Sequence, residues 1–151
     1  MRAIIQRVSS ADVVVGEETI GKIGKGLLIL LGCGRADGQE DVEWIVRKIA
    51  QLRVFADENG KMNDSLEGAD ASALVVSQFT LYGDCRKGNR PSFSKAMAPQ
   101  EAESMVETVV EGLRARGIET ETGRFGADMR VSLVNEGPVT LILDSENRKR
   151  E

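Results

Sequence analysis

The chain contains no histidine, and that absence narrows its chemistry more than any other feature of its composition. Without imidazole there is no Ser-His-Asp or Cys-His nucleophile arrangement, and the common histidine-ligated metal sites are also excluded. Any hydrolysis must find its proton acceptor elsewhere. Cysteine is scarce: Cys33 and Cys85 are the only two and show no CxxC spacing, so they read as free thiols rather than a disulfide framework or a zinc knuckle. No cofactor and no metal are expected. No apolar run approaches the roughly 20 residues of a membrane-spanning helix, and the opening MRAIIQRVSS reads as strand rather than signal peptide, so a cytoplasmic protein without membrane contact is expected. Positive charge is in deficit as well, 20 Lys and Arg against 24 Asp and Glu for a net −4. Sequence-independent nucleic-acid affinity comes from neutralising phosphates, so only a local basic surface could hold RNA. With 151 residues, 41% hydrophobic and 29% charged, the chain has the balance of one domain spanning residues 1–151.

What is present is mostly β-branched. Ala3 to Val8, Asp12 to Val15 and Thr19 to Ile23 are strand-like runs, and the nearly all-aliphatic Gly26 to Leu31 reads as a strand covered on both faces. Asp37 and Glu40 have capping-box spacing, and Val42, Ile45, Val46, Ile49 and Leu52 repeat with helical period. A short strand near Leu52 to Ala56, a polar loop from Asp57 to Asp64 and a buried strand from Leu74 to Phe79 follow. Pro99 suits a first helical turn, Ala102, Met105, Val106, Val109 and Leu113 make one apolar face, and Gly117 stops that helix. Two final strands are expected, the first alternating Met129, Val131 and Leu133, the second running Val139 to Leu143; Arg148, Lys149 and Arg150 read as a frayed, solvated end. Strands first, two β-then-helix units in the middle and strands last describe a mixed α/β domain with its helices on one side.

Two constellations could carry chemistry. Ser77-Gln78-Phe79-Thr80 ends the aliphatic strand where the backbone turns toward solvent, as strand-end sites usually do; read plainly, Ser77 and Thr80 only satisfy the backbone there. The following Arg86, Lys87 and Arg90 are either an ordinary solvated loop or a phosphate-contacting patch. The second is Asn135-Glu136-Gly137-Pro138-Val139-Thr140, whose Gly-Pro pair reads most simply as a tight hairpin turn. Two function classes fit this much: a non-catalytic RNA- or protein-binding module, or a small esterase, against which the missing Gly-x-Ser-x-Gly elbow counts.

Five blocks narrow the choice. MRAIIQRV, GKMNDSL at 60–66, SQFTLYGD at 77–84, RKGNRPSF at 86–93 and ETGRFGADMRVSLVNEGPVT at 121–140 resemble, in order and over nearly the whole chain, the D-aminoacyl-tRNA deacylase family. The resemblance implies a layered β/β/α domain with a mixed sheet, in β(2)-(βα)2-β(3) order. It implies hydrolysis of the ester of D-aminoacyl-tRNA and of mischarged glycyl-tRNA, as chiral proofreading in translation. It implies a homodimer in which the Gly137-Pro138 bond is cis and the motif enters the partner's pocket. Ester cleavage would fall to Ser77, Gln78, Phe79 and Thr80. Substrate binding and chiral selection would involve Gly137, Pro138, Met129, Arg7 as the brace of the motif, and Phe125 as a platform for the terminal adenine; Arg86, Lys87 and Arg90 would contact tRNA. For proton transfer, Thr80 is either a nucleophile lacking a base or a positioning residue beside a ribose 2′-hydroxyl that activates water. The missing histidine favours the second.

Overall fold

The computed structural model describes residues 1–150, leaving aside the side chains of Lys149 and Arg150. Strand β1 (Arg2–Val15) is long enough to pair with three others: antiparallel with β2 (Glu18–Ile23) and β3 (Gly26–Gly32) along one side, and with β8 (Arg130–Asp144) along the other. The two runs expected within residues 3–15 are therefore one strand. Next to β3 lies β6 (Ser72–Ser77), and beyond it β7 (Thr120–Thr122), both pairs parallel. The β3–β6 crossover carries helix α1 (Gln39–Gln51), and the β6–β7 crossover carries α2 (Pro99–Ala115). Counting the two arms of β8 separately, the order is the expected β(2)-(βα)2-β(3), with one added hairpin.

Alternation within the parallel strands builds two cores. Leu27, Ile29 and Leu31 of β3 and Ala73 and Val75 of β6 face the helices, meeting Val42, Ile45 and Ile49 of α1 and Val109 and Leu113 of α2. Leu28, Leu74 and Val76 point the other way, into a second cluster with Val8, Val13 and Ile23 that Met129 and, on β8, Val131 and Leu133 help to cover. β3 and β6 are thus covered on both faces as expected. Each fully buried aliphatic side chain contributes about 1.5 to 3 kcal/mol, so this parallel pair is anchored from both faces.

Several local expectations are corrected. The N-cap of α1 is Gly38, whose N–H donates to Asp41 Oδ2 at 2.9 Å. Asp37 instead accepts from the Gly34 N–H and the Met1 ammonium, each at 2.6 Å. Part of the Asp57 to Asp64 stretch is a strand, β5 (Met62–Asp64), paired with β4 (Phe55–Ala56). Asp57 closes this hairpin by accepting the N–H groups of Asn59 and Lys61. β6 stops at Ser77, two residues before the expected end, and Phe79–Tyr82 forms a 3-10 turn. Arg148 is not solvated at a frayed end but is bonded to Asp41 and Glu40. The side chains of Lys149 and Arg150 lie outside the described residues.

The Gly137-Pro138 segment is not a hairpin turn. Thr140 pairs with Gln6 and Asn135 with Val8, so both arms of β8 lie antiparallel to the same strand and the chain never reverses. The residues between them leave the ladder as a bulge over Glu136 to Val139. Pairing along β1 shifts on both sides of Val8, and there β1 changes which core it serves, from Ile5 against the helices to Val8 and Val13 in the second cluster.

Candidate active site

The parallel strands β3 and β6 end side by side, and a cleft of about 620 Å³ opens beyond their carboxyl ends. Crevices of α/β sheets form there because the chain leaves each strand for a different helix. Leu31, Val76 and Ser77 form the floor. The 3-10 turn makes one wall, with Phe79 packed edge-to-face on Phe93 at 5.1 Å between ring centroids. Met129 and Phe125 make the opposite wall, and Met97 and Pro99 close it from the start of α2.

Phe79 is 56% exposed, far from the buried strand position expected for it, so its ring is available to whatever enters the cleft. Thr80 is also exposed, and its Oγ1 accepts a short hydrogen bond from Gln78 Nε2. Among the described residues Gln78 is the only hydrogen-bond partner of that hydroxyl, so the oxygen faces an amide rather than a carboxylate or an amine. The N–H groups of Phe79 and Thr80 open the turn and have no acceptor within it. Phe125 lies on a turn closed by the Ala127 N–H donating to the Arg124 carbonyl at 3.2 Å, and it also borders a second cleft of about 430 Å³ along α2. No cluster of three or more Cys, Asp or Glu among the described residues is placed to hold a metal ion.

Cys33 also lines the cleft, but burial pushes its thiol up to about 12, so it is neutral at ordinary pH and unfit as a nucleophile. Because the folded value is raised, the stability contributed by this protonated thiol is complete below about pH 9 and is lost as the pH rises toward 12. A thiol reagent at pH 8 should titrate one cysteine rapidly in the native protein, the exposed Cys85, and two in denaturant. Rapid modification of both in the native state would contradict this placement of Cys33.

The Gly137-Pro138 peptide is cis, and neither residue lines the cleft of its own chain. Both are exposed on the bulge. Arg7 reaches the bulge from β1: Nε donates to the Glu136 carbonyl at 3.2 Å and Nη1 to the Val54 carbonyl at 2.6 Å. Asn135 closes its base, Nδ2 donating to the carbonyls of Arg7 at 2.9 Å and Val139 at 3.0 Å. The basic loop is folded by Asp84 and Ser92, which exchange backbone hydrogen bonds. Arg86 is occupied there: it binds the Asp84 carboxylate at 2.6 Å and holds that group down to about 2. Lys87 and Arg90 are exposed and make no ion pair among the described residues.

Comparison with known proteins shows the family and the fold. The family model for D-Tyr-tRNA(Tyr) deacylase matches residues 4–144. The chain belongs to the D-Tyr-tRNA(Tyr) deacylase family. D-aminoacyl-tRNA deacylases of Desulforudis audaxviator and Thermotoga petrophila are 57% and 54% identical to it, each over 145 residues covering 96% of this chain and 97% of the relative. A solved structure titled c-Myc DNA Unwinding Element Binding Protein superposes with a TM-score of 0.89 at 43% identity, covering 95% of this chain and 98% of that one. A probable eukaryotic D-amino acid tRNA deacylase, 17% identical with a TM-score of 0.80 and covering 94% and 97%, shares the fold. The deacylase is therefore a hydrolase of the aminoacyl-tRNA ester bond, with a part in translational proofreading. None of its described helices is long and apolar enough to cross a membrane.

The structure brings Ser77, Gln78, Phe79, Phe125 and Met129 of the deacylase to one cleft, leaves Thr80 outside its lining but bonded to Gln78, and gathers Arg7, Gly137 and Pro138 at one bulge away from it. Arg86, Lys87 and Arg90 sit on the loop beside Phe93. Two residues within the quoted motifs acquire roles that the sequence does not assign them: Phe93, which packs on Phe79, and Asn135, which closes the base of the bulge.

Proposed function

We propose that the chain acts as a cytoplasmic homodimer that clears D-aminoacyl-tRNA and mischarged glycyl-tRNA and rejects L-aminoacyl-tRNA, each subunit's bulge closing the other's cleft. The observation that carries this reading is that the bulge stands exposed at the surface while its own cleft lies elsewhere. Among the described residues β8 pairs with β1 alone, and its unpaired edge runs beside Val134 and Ile142, 56% and 74% exposed. A 15-residue edge strand with exposed aliphatics is a surface that folded proteins cover.

In this assembly the main chain of Gly137 and Pro138 stands against the substrate's α-carbon. A D residue or glycine presents only hydrogen there, whereas an L side chain meets backbone that Arg7 holds in place. Rejection by a factor of a thousand needs about 4 kcal/mol, within reach of one overlap with a fixed main chain. Phe125 and Met129 hold the terminal nucleoside. Water attacks the ester carbonyl, the N–H groups of Phe79 and Thr80 stabilise the oxyanion at about 3 to 4 kcal/mol each, and collapse expels the ribose 3′ oxygen. Ser77 and Gln78 orient this wall, and Thr80 positions the ester.

Sedimentation at micromolar concentration should give a dimer, and D-Tyr-tRNA should be cleaved on the order of a thousand times faster than L-Tyr-tRNA. A monomer with full activity, or equal rates on both mirror images, overturns the reading; no cleavage above buffer would return the chain to a non-catalytic RNA-binding module. Lys87 and Arg90, with Arg86 in a lesser part because Asp84 already holds it, contact the tRNA backbone. Charge reversal at Lys87 and Arg90 together should raise KM for every tRNA about equally and flatten the dependence of log KM on log salt by about 2, leaving kcat unchanged.

A further inference from the structure

β1 sends one arginine to each segment the proposed reaction uses. Arg7 reaches the bulge, and Arg2 reaches the 3-10 turn. Arg2 Nη1 donates to the Leu81 carbonyl at 3.1 Å, its Nε donates to Asp144 Oδ2 at 3.1 Å, and its guanidinium carbon lies 4.5 Å from the centroid of the Tyr82 ring. Leu81 and Tyr82 are the second half of the turn whose first half is Phe79 and Thr80.

The turn is anchored to β3 at its start, where the Gln78 N–H donates to the Leu31 carbonyl at 2.8 Å. Its own backbone is held by the Leu81 N–H on the Gln78 carbonyl at 3.2 Å and the Gly83 N–H on the Thr80 carbonyl at 2.9 Å, and such short 3-10 segments have poor hydrogen-bond geometry. From below it rests on β3: a Cβ on Gly32 would come within 2.8 Å of the Gln78 carbonyl oxygen, and one on Gly34 within 2.8 Å of the Tyr82 ring, which is buried. Phe93 packs on Phe79 at its start and the Asp84–Ser92 pairing follows its end, while Arg2 joins its Leu81 carbonyl to Asp144 of β8, the planar fork allowing three partners at once. Arg2 and Asp144 are 34% and 19% exposed, a setting in which the ion pair itself adds little to stability. Arg2 does not line the cleft.

We propose that Arg2 is a positioning residue for ester cleavage: by tying the Leu81 carbonyl, the Tyr82 ring and Asp144 together, it aims the Phe79 and Thr80 N–H groups at the reacting carbonyl. This rests on the reading of the turn as the site of cleavage. The geometry predicts an effect on the chemical step and not on tRNA affinity, because the basic loop is untouched.

The test compares Arg2→Ala, Arg2→Lys, Asp144→Asn and Gln78→Ala in the full chain, with Arg116→Ala as an ion-pair control remote from the cleft. Deacylation of D-Tyr-tRNA is followed well below each thermal midpoint. Displacing reacting groups by about 1 Å costs up to about 100-fold, so Arg2→Ala should lose roughly 10- to 100-fold in kcat with KM within about threefold. Arg2→Lys keeps the charge without the fork, and should recover the thermal midpoint while kcat stays about tenfold down. The Phe79 and Thr80 amide resonances should move in Arg2→Ala while the Trp44 indole does not. If Arg2→Ala fails to fold, Asp144→Asn carries the same test with a smaller loss of kcat. The inference falls if Arg2→Ala lowers only the thermal midpoint, or only raises KM, while Gln78→Ala loses kcat. If Gln78→Ala keeps full kcat, the turn is not the site, and the reading of the site falls with the inference.

Discussion

Replacing Gly137 by alanine is expected to cost on the order of 100-fold in kcat/KM on D-Tyr-tRNA and to compress the preference for D over L at least about tenfold. Gly137 sits at φ +125, a conformation that L side chains rarely adopt. A Cβ there would lie 2.9 Å from Arg7 Nη2 and 3.0 Å from Val139 Cγ2, so the bulge must shift or the arginine must let go. Either outcome moves the main-chain wall that the proposal sets against the substrate's α-carbon. The D rate falls because the ester is no longer held against the turn, and the L rate falls less because the obstacle has receded. Arg7→Ala separates the causes, since it removes the bonds to the Glu136 and Val54 carbonyls without adding an atom to the bulge. Hydrogen bonds to a charged group are worth about 1.5 to 3 kcal/mol each, so it should shift the same preference by roughly tenfold or more. Sedimentation of both variants distinguishes a moved wall from a lost partner. A Gly137→Ala dimer with both rates within twofold of wild type would mean that the bulge inspects nothing.

The elements legible in the sequence are those whose burial follows their own pattern. β3 and β6 could be read from aliphatic runs because they are covered on both faces, and both helices from apolar stripes that meet one core. What stayed hidden depends on partners distant in the chain. β7 is Thr120-Glu121-Thr122, three polar residues that become a strand because β6 offers a free parallel edge. The Glu136 to Val139 bulge has the residues of a hairpin turn and differs from one only in that both arms pair with β1. Asp41 and Arg148 meet across the fold, which no local rule for a charged tail anticipates. The site divides in the same way. The strand-end hydroxyls and the basic loop could be singled out by residue type, whereas the pairing of Gln78 with Thr80, of Phe79 with Phe93 and of Arg86 with Asp84 is set by how the backbone turns after β6.

The other large expected effect lies on the substrate. A D-aminoacyl-tRNA ending in 2′-deoxyadenosine, its ester fixed on the 3′ oxygen, should be cleaved about 10² to 10⁴ times more slowly than the ordinary ester, the usual worth of a positioned proton-transfer group. Thr80→Ala should lose less than about tenfold on the ordinary ester, the worth of one neutral hydrogen bond. The argument starts from the absent histidine and ends at Thr80 Oγ1, which accepts a hydrogen bond from Gln78 and has no other partner among the described residues. A hydroxyl so placed has nowhere to send its proton, and an amide donor makes its lone pair less nucleophilic, so an acyl-enzyme on Thr80 is disfavoured on both counts. The vicinal 2′-hydroxyl lies next to the scissile bond in every substrate molecule and can relay the proton from attacking water toward the departing 3′ oxygen. The protein then needs only to orient the ester and stabilise the oxyanion, which the Phe79 and Thr80 N–H groups can do without any titrating side chain. The pH dependence of kcat should accordingly show no bell between pH 6 and 8 attributable to an enzyme group. Rapid quenching followed by mass spectrometry decides the alternative directly: an aminoacyl adduct on Thr80 of the wild type, with the deoxy substrate cleaved at the normal rate, would make Thr80 the nucleophile and leave the ribose a bystander.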